Sequence, residues 1–540
     1  MGRLGQKRGP KDPCRLWAVA WILFKLLRMP NRLASWAARL VGPESPEAPG
    51  HLWPRWLFLR SLGFIFLSAF YSWVGQVQGL LGPEGILPVR EFLGYVASQA
   101  GLLRYWMVPT LFWLGSGKAA LSIVCWTGLV ASILLIVNIA PRLMTAVCTV
   151  TFLSLICAAR DFSSYQSDGM LLEAGLLSLF FAPSGFRPGL GERDAPSPAS
   201  RFLLLWVWFR IYFESGLAKM LSGDPHWRNF TAMDDYYQNG PLPTWIGWYA
   251  QQLPHAFHAF TTGLTLAVEL GVVWMLFLPR RFRIICFWIL LPFQIGIILT
   301  ANYAFINDIS IAFSILLLDD RYIGRWLPLP SRRGEGGGEG RNSRVKLWIS
   351  AFFLGWQFYA TTAFLLLMLI PGLPLPTSPI TALEPSRFAN RYGLFAVMTP
   401  ARYEIEFQGT NDGKNWTAYP FRYKPQALNE APRIYAPYQP RFDWNLWFCS
   451  LGPWHEYPWV VRTEELLLNN NPSVLSLFKS NPFPREPPRQ VRAVFWQYWF
   501  TDLPTKRRDG LWWRRQSLGL YAPSLERKPD GTFQVLSTPQ

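Results

Sequence analysis

Residues 201–249 read RFLLLWVWFRIYFESGLAKMLSGDPHWRNFTAMDDYYQNGPLPTWIGWY and decide the fold class. The first half is apolar enough for a membrane helix, yet it contains Arg210, Glu214 and Lys219. Ionisable groups at membrane depth are costly and usually face a bundle interior or a wet cavity, often beside a partner. The second half is polar, aromatic and bounded by prolines. The stretch therefore predicts a multi-pass membrane protein with a polar region near one membrane surface.

The composition supports a membrane protein rather than several soluble domains. Half of the 540 residues are hydrophobic and only 16% are charged, whereas soluble chains average about 25% charged. The long apolar runs lie between Trp56 and Ile370, and the residues after them resemble a soluble domain. The net charge is +18, and the basic residues cluster in the N-terminal arm and in short loops. Such clustering is the asymmetry that orients helices in a membrane. Binding to nucleic acid is therefore not predicted.

Nine apolar segments approach the length of about 20 residues that a membrane span requires. They predict a polytopic α-helical bundle of about eight or nine spans, because segments 170–182 and 305–318 are short. Segment 105–114 is shorter still and is predicted to be re-entrant or interfacial. The nine segments are 56–77, 118–138, 143–159, 170–182, 202–219, 257–278, 284–301, 305–318 and 347–370.

The distribution of basic residues predicts the orientation of the bundle. Residues 1–50 form a basic arm, in which segment 16–29 is predicted to be an interfacial helix. With nine spans, the basic loops fall on the same side as this arm, which the positive-inside rule places in the cytoplasm. Residues 51–370 are then the multi-pass transmembrane domain. Residues 371–540 follow it as an extracytoplasmic, β-rich domain.

Local patterns support strands and exposed turns in the C-terminal domain. Residues 403–407 alternate with period two and precede Asn411, Asp412 and Gly413, which predicts a hairpin. Glycosylation sequons begin at Asn229 and Asn415, both on the predicted outer side.

Five ionisable residues in or near the apolar segments form a candidate buried polar site. Arg210 and Glu214 are four residues apart, so they share one helical face and are expected to form a structural ion pair. A binding site for a lipid, quinone or substrate headgroup is the functional alternative, and a proton or ion pathway is a third. Glu173 and Glu269 are candidate partners for Arg60 and Arg210. The five are Glu173, Arg210, Glu214, Lys219 and Glu269.

The sequence predicts no catalytic motif, no cofactor site and no metal site. It contains neither GxSxG nor HExxH. His255 and His258 have a spacing that suits metal ligation, and Asp234 and Asp235 could extend such a site. No Cys or His cluster accompanies them, so surface or interfacial histidines are expected. The six cysteines include no CxxC pair and indicate no disulfide framework.

Seven tryptophans of the C-terminal domain form a candidate client surface. A packed aromatic β core is the structural alternative, and docking of the domain to the membrane is another. A recognition surface for partly folded chains is the functional interpretation, since aromatic residues dominate interface energetics. The seven are Trp444, Trp447, Trp459, Trp496, Trp499, Trp512 and Trp513.

An ordered set of motifs resembles the lipase maturation factor family over residues 55–525. It includes GLLGPEGILP at 79–88, YQSDGMLLEAG at 165–175, NYAFIN at 302–307, NRYGLFAVMT at 390–399 and APYQPRFDW at 436–444. The membrane part of that family is similar to the transmembrane region of vitamin K-dependent carboxylases. The resemblance implies a protein of the endoplasmic reticulum membrane that assists folding and assembly of dimeric lipases through its lumenal portion. It implies lipase-like secreted clients and membrane lipids as partners.

One loop departs from the family pattern. Before Pro-Leu-Pro, the family is expected to have Tyr-His-Tyr-Glu-Thr-Gln, whereas residues 235–240 read DYYQNG. The departure indicates a divergent branch; in a prokaryote the membrane would be the bacterial inner membrane and the client need not be a lipase. The leading hypothesis is a maturation factor for secreted enzymes. The alternative is a carboxylase-related membrane enzyme or a lipid- or quinone-binding protein that uses Glu173, Arg210, Glu214 and Lys219.

Overall fold

A computed structural model describes residues 39–42, 50–163, 165–328 and 344–539 of the chain. The basic arm and its predicted interfacial helix at 16–29 lie outside these residues. The described part contains a helical bundle followed by a β-sheet region, as the sequence predicts.

Nine helices build the bundle in the described residues, and each overlaps one predicted span. Six are long and apolar enough to cross a membrane, while the others are short or contain several charged residues. The predicted total of eight or nine spans therefore stays a prediction. The six are α1 (Leu52–Val74), α2 (Lys118–Ile136), α3 (Pro141–Ala158), α6 (His255–Leu270, continued by a 3-10 helix at Val272–Phe277), α7 (Arg280–Thr300) and α9 (Arg344–Leu369). The other three are α4 (Gln166–Phe181), α5 (Pro198–Leu221) and α8 (Ile306–Ser314).

Local signals explain where two of these helices begin. Pro141 and Pro198 occupy the first turns of α3 and α5, where a missing backbone N–H leaves no hydrogen bond unmade. The Ser197 side chain also caps α5, because its hydroxyl oxygen accepts a hydrogen bond from the Ser200 backbone N–H at 3.1 Å.

Short helices fill the connections between the long ones. The loop between α1 and α2 includes segment 105–114, which forms helical turns with Trp106 and Leu114 exposed. The short elements before α6 are Val77–Leu81, Val89–Ala100, Gly101–Leu103, Arg104–Met107, Leu111–Trp113, Arg160–Ser163, Pro225–Arg228, Ala232–Asn239 and Trp245–Gln251. Those after α8 are Ile315–Leu317, Asp320–Ile323, Ser378–Thr381 and Glu384–Ser386.

The C-terminal region is an antiparallel sheet with helices packed on it. The strand order is β2-β1-β3-β5-β6, and β4 also pairs with β3. The predicted hairpin is present, since Gln408 of β1 lies opposite Ala418 of β2. The strands are β1 (Arg402–Thr410), β2 (Thr417–Ala418), β3 (Gln490–Phe500), β4 (Trp513–Leu520), β5 (Ser524–Arg527) and β6 (Phe533–Ser537). The helices are α10 (Arg441–Cys449), α11 (Trp459–Leu468) and α12 (Leu503–Asp509), with short turns at Trp454–Glu456 and Pro472–Leu475.

The apolar core runs without a break from the helical bundle into the sheet region. At the boundary, the Phe162 and Trp459 rings lie 5.1 Å apart, and the Tyr165 and Trp444 rings lie 5.3 Å apart. Such aromatic pairs stabilise an interface beyond the area they bury. The two regions are therefore packed as one body along this boundary, rather than joined only by a linker.

Candidate functional site

An irregular segment between α9 and β1, residues 387–399, crosses the sheet-side end of the bundle; we call it the connecting segment. Buried side chains of α5 bind its backbone. Arg210 donates to the Asn390 carbonyl at 2.8 Å, and Glu214 accepts the Tyr392 backbone N–H at 2.8 Å. One turn further, Lys219 donates to the Leu394 carbonyl at 2.8 Å. The charged residues of α5 thus satisfy backbone groups that no regular structure pairs.

The Arg210 guanidinium lies between two carboxylates. Its distance is 2.5 Å to Glu173 and 3.5 Å to Glu214, the partner that the four-residue spacing predicts. Glu173 also accepts hydrogen bonds from the Tyr392 hydroxyl at 2.7 Å and from the Gln357 amide at 3.2 Å. These charged side chains are 0–1% exposed. Three helices, α4, α5 and α9, are therefore held to the connecting segment by one network.

Lys219 forms a second buried ion pair. Its ammonium lies 2.8 Å from the Glu269 carboxylate of α6 and 4.9 Å from the centre of the Trp227 ring. The expectation that Glu269 partners Arg60 or Arg210 is wrong, because Lys219 is nearer to it on the facing helix. The Arg60 guanidinium has no hydrogen-bond partner among the residues described and lies 5.3 Å from the centre of the Trp56 ring.

The five candidate residues therefore form two clusters with different surroundings. Lys219 and Glu269 line a cavity of about 300 Å³ between α5, α6, α7 and α8. Glu173, Arg210 and Glu214 are not among its lining residues and pack against the connecting segment instead. The Arg210 cluster thus pairs backbone groups of the connecting segment inside the protein.

Two further arginines join the bundle to the sheet region, and the sequence alone singles out neither. Arg441 of α10 donates to both Asp168 carboxylate oxygens, at 2.7 and 2.8 Å, and its guanidinium lies 4.3 Å from the centre of the Trp73 ring. Arg402 of β1 donates to the carbonyls of Gln238 and Pro241 in the loop after α5, at 3.0 Å each. Asp168 and Arg441 both lie within motifs that resemble the family, and this was the one sequence signal that could have pointed to them.

The histidines and acids of the loop after α5 form a small cluster. One Asp234 carboxylate oxygen lies 3.0 Å from His255 Nδ1 and 3.1 Å from His258 Nδ1. Within the described ranges, no group of three or more His, Cys, Asp and Glu residues could hold a metal ion. The cluster joins the loop helix Ala232–Asn239 to the first turn of α6.

The tryptophans divide between core and surface. The prediction of an exposed client surface is wrong for four of them, because three lie on α10 and α11 and one on β4, with their side chains buried in the packed core. These four, each 1–7% exposed, are Trp444, Trp447, Trp459 and Trp513. The remaining three are partly exposed, and each lies against a basic side chain: Trp496 by Arg515 at 4.0 Å, Trp499 by Arg514 at 5.2 Å, and Trp512 by Lys506 at 3.7 Å. Trp496 and Trp499 are three residues apart in the regular strand β3, so their side chains lie on opposite faces of the sheet and the three tryptophans do not form one surface.

The fold and these contacts define a multi-pass membrane protein with a packed extramembrane sheet domain. Residues 53–325 match the lipase maturation factor transmembrane domain, and residues 388–523 match the lipase maturation factor C-terminal domain. The chain belongs to the lipase maturation factor family.

Curated relatives align along most of their length with this chain. Lipase maturation factor 2 of Gallus gallus is 30% identical over 87% of this chain and 81% of its own. Lipase maturation factor 1 of Bos taurus is 30% identical over 90% of this chain and 94% of its own. Lipase maturation factor 2 of Homo sapiens is 28% identical over 89% and 84%. No solved structure matches.

Proposed function

We propose that this chain is a membrane-anchored maturation factor that assists the folding of secreted enzymes such as lipases. The observation that carries the proposal is the family match across both the bundle and the sheet domain. Relatives that align over most of the chain are named lipase maturation factors. Lipase-like secreted proteins are accordingly the proposed clients.

The proposed location is the endoplasmic reticulum membrane, with the N-terminus in the cytoplasm and the sheet domain in the lumen. The proposed divisions are the arm at 1–50, the membrane domain at 51–370 and the lumenal domain at 371–540. The placement of basic residues supports this orientation. The contacts of Arg402 with the loop after α5 support placing that loop and the sheet on the same side.

The proposed client surface is the partly exposed Trp499 with its basic neighbour Arg514. Tryptophan and arginine are enriched among the residues that dominate binding energy at protein interfaces. The adjacent α12 adds Lys506, Arg507 and Arg508. This surface suits a client segment that exposes apolar residues beside acidic ones, as a partly folded enzyme does.

The experiment is co-expression with a secreted lipase in cells that lack maturation factors. The readout is the activity of the secreted lipase divided by its mass. The intact chain should raise that ratio, and Trp499→Ala should lower it several-fold. The matched control is Trp126→Ala, which removes a 54% exposed tryptophan of α2 in the membrane region. An unchanged ratio with and without the intact chain would contradict the proposal.

Point variants are a sharper test than deletion of residues 371–540. Deletion is expected to abolish maturation, but it also uncovers the shared core and the charged groups that bind the connecting segment. Loss of activity after deletion would therefore not separate client binding from folding. Trp499→Ala avoids this problem because Trp499 lies at the surface of the sheet.

The alternative of a lipid or quinone site at Glu173, Arg210, Glu214 and Lys219 has weaker support. All four contact the connecting segment, and only Lys219 also lines the cavity. An enzyme related to carboxylases would need substrate access to these groups.

A further inference from the structure

The cavity beside the Lys219–Glu269 pair has the size of a small binding site. Its volume of about 300 Å³ is at the lower limit of the roughly 300–1,000 Å³ of ligand pockets. An apolar cavity of about 150 Å³ already takes up benzene. Apolar and aromatic side chains form most of the lining, and Leu394 and Phe395 of the connecting segment lie at one end. The cavity therefore has room for a short apolar chain or a ring.

The cavity opens sideways, towards the region that the bilayer occupies. Leu264 of α6 and Pro292 and Gly296 of α7 line it and are also exposed on the flank of the bundle. A Cβ atom built on Gly296 would meet nothing within 4 Å. A ligand can thus enter between α6 and α7 from the hydrocarbon region without passing through water.

A hydrogen-bonded chain of side chains ends at the cavity with an unused acceptor. Gln294 donates to the Tyr212 hydroxyl at 2.7 Å, and Asn307 donates to the Gln294 amide oxygen at 2.6 Å. The Asn307 amide oxygen is buried and has no hydrogen-bond partner among the residues described. Buried acceptors are nearly always paired. A bound ligand with a hydrogen-bond donor would pair this oxygen.

The charge of the lining selects against an ionised headgroup. Lys219 and Glu269 face each other at 2.8 Å, so the two charges at the cavity neutralise one another. An added carboxylate or phosphate would be buried there without a counter-charge of its own, which is strongly unfavourable. A hydroxyl donates a hydrogen bond without bringing a charge.

From these four observations we propose that the cavity binds a neutral amphiphile from the bilayer. Its apolar chain lies between α6 and α7, and its hydroxyl headgroup donates to the Asn307 amide oxygen. This site shares only Lys219 with the four residues that the sequence suggested for lipid binding. The inference concerns the membrane domain and does not depend on the identity of the client.

Photocrosslinking in phosphatidylcholine vesicles tests the proposal. The probe is a monoacylglycerol with a diazirine in its acyl chain, and crosslinked peptides are mapped by mass spectrometry. We expect crosslinks in residues 261–269 and 292–300, with competition by unlabelled monoacylglycerol. Gly296→Phe should reduce these crosslinks at least fivefold by filling the opening. Gly355→Phe is the matched control, because Gly355 is an exposed glycine of α9 whose Cβ would also meet nothing within 4 Å.

Headgroup chemistry is tested with two further probes on the unaltered chain. The same acyl chain with methylated hydroxyls, and the corresponding fatty acid, should each label these peptides several-fold less. The proposal is overturned if labelling does not compete, if Gly296→Phe reduces it no more than Gly355→Phe, or if either altered headgroup labels equally well. Competition on the unaltered chain keeps the test decisive even if Gly296→Phe fails to fold.

Discussion

Replacing Arg441 with methionine tests whether the bundle and the sheet domain fold as one unit. The change keeps most of the volume but leaves the Asp168 carboxylate buried with neither of its two hydrogen bonds to Arg441, at 2.7 and 2.8 Å. Removing one partner of a buried ion pair destabilises a protein by about 3–5 kcal/mol. Loss of the contact with the Trp73 ring, 4.3 Å away, adds up to about 2 kcal/mol.

The assay is thermal unfolding of the chain purified in detergent. The folded fraction is measured as the amount that elutes as a monodisperse peak after heating. Arg441→Met should lower the midpoint clearly and should affect the bundle and the sheet together. Adding Asp168→Asn removes the uncompensated charge, so the double variant should recover part of the loss; neighbouring residues couple in this way. Arg433→Met serves as a control, since Arg433 is exposed and pairs with exposed Glu430. If Arg441→Met unfolded the sheet while the bundle kept its midpoint, the single-unit argument would be refuted.

Three other predictions concern the sheet domain, the loop and the connecting segment. Burial raises the pKa of Glu464 well above its usual value of about 4.3. Because the folded state holds this proton more tightly than the unfolded state, the free energy of unfolding should fall as the pH rises above that value. Glu464→Gln should weaken the fall of unfolding free energy with pH, measured by urea unfolding between pH 5 and 8. If that free energy fell equally steeply in the variant, the prediction would be contradicted. In a eukaryotic host, Asn229→Gln should reduce the glycosidase-sensitive gel shift by one glycan if the loop is lumenal, whereas absence of any shift from Asn229 or Asn415 would oppose that orientation. Tyr392→Phe removes one hydrogen bond to Glu173 and should cost about 1.5–3 kcal/mol of stability, as for bonds to charged groups; an unchanged unfolding midpoint would exclude a stabilising role.

The sequence predicts those features of the fold that depend on neighbouring residues. Long apolar runs identify the helices because a bilayer demands about 20 such residues in a row. The Arg210–Glu214 contact follows from helical spacing alone. The hairpin at Asn411 follows from turn chemistry and alternation. Each of these signals lies within a few residues of what it predicts.

Features that depend on distant residues were not predictable in the same way. Asp168 and Arg441 are 273 positions apart, and no local pattern in either segment identifies the other residue as its partner. The tryptophans illustrate the same limit. Their positions in the sequence are the same whether the helices and strands that carry them are packed against other elements or exposed. The sequence therefore suggested a surface where the tertiary packing of Trp459 and Trp513 makes a core.

The connecting segment has a consequence for the order of biosynthesis. Asn390 is made 180 residues after Arg210, whose guanidinium binds its carbonyl. At about 5–20 residues per second, that interval lasts roughly 10–35 s. During this time α5 is already synthesised, while the backbone groups that complete its charged face do not yet exist. A protein proposed to help others fold thus cannot finish its own bundle until its last membrane helix and the residues beyond it have been translated.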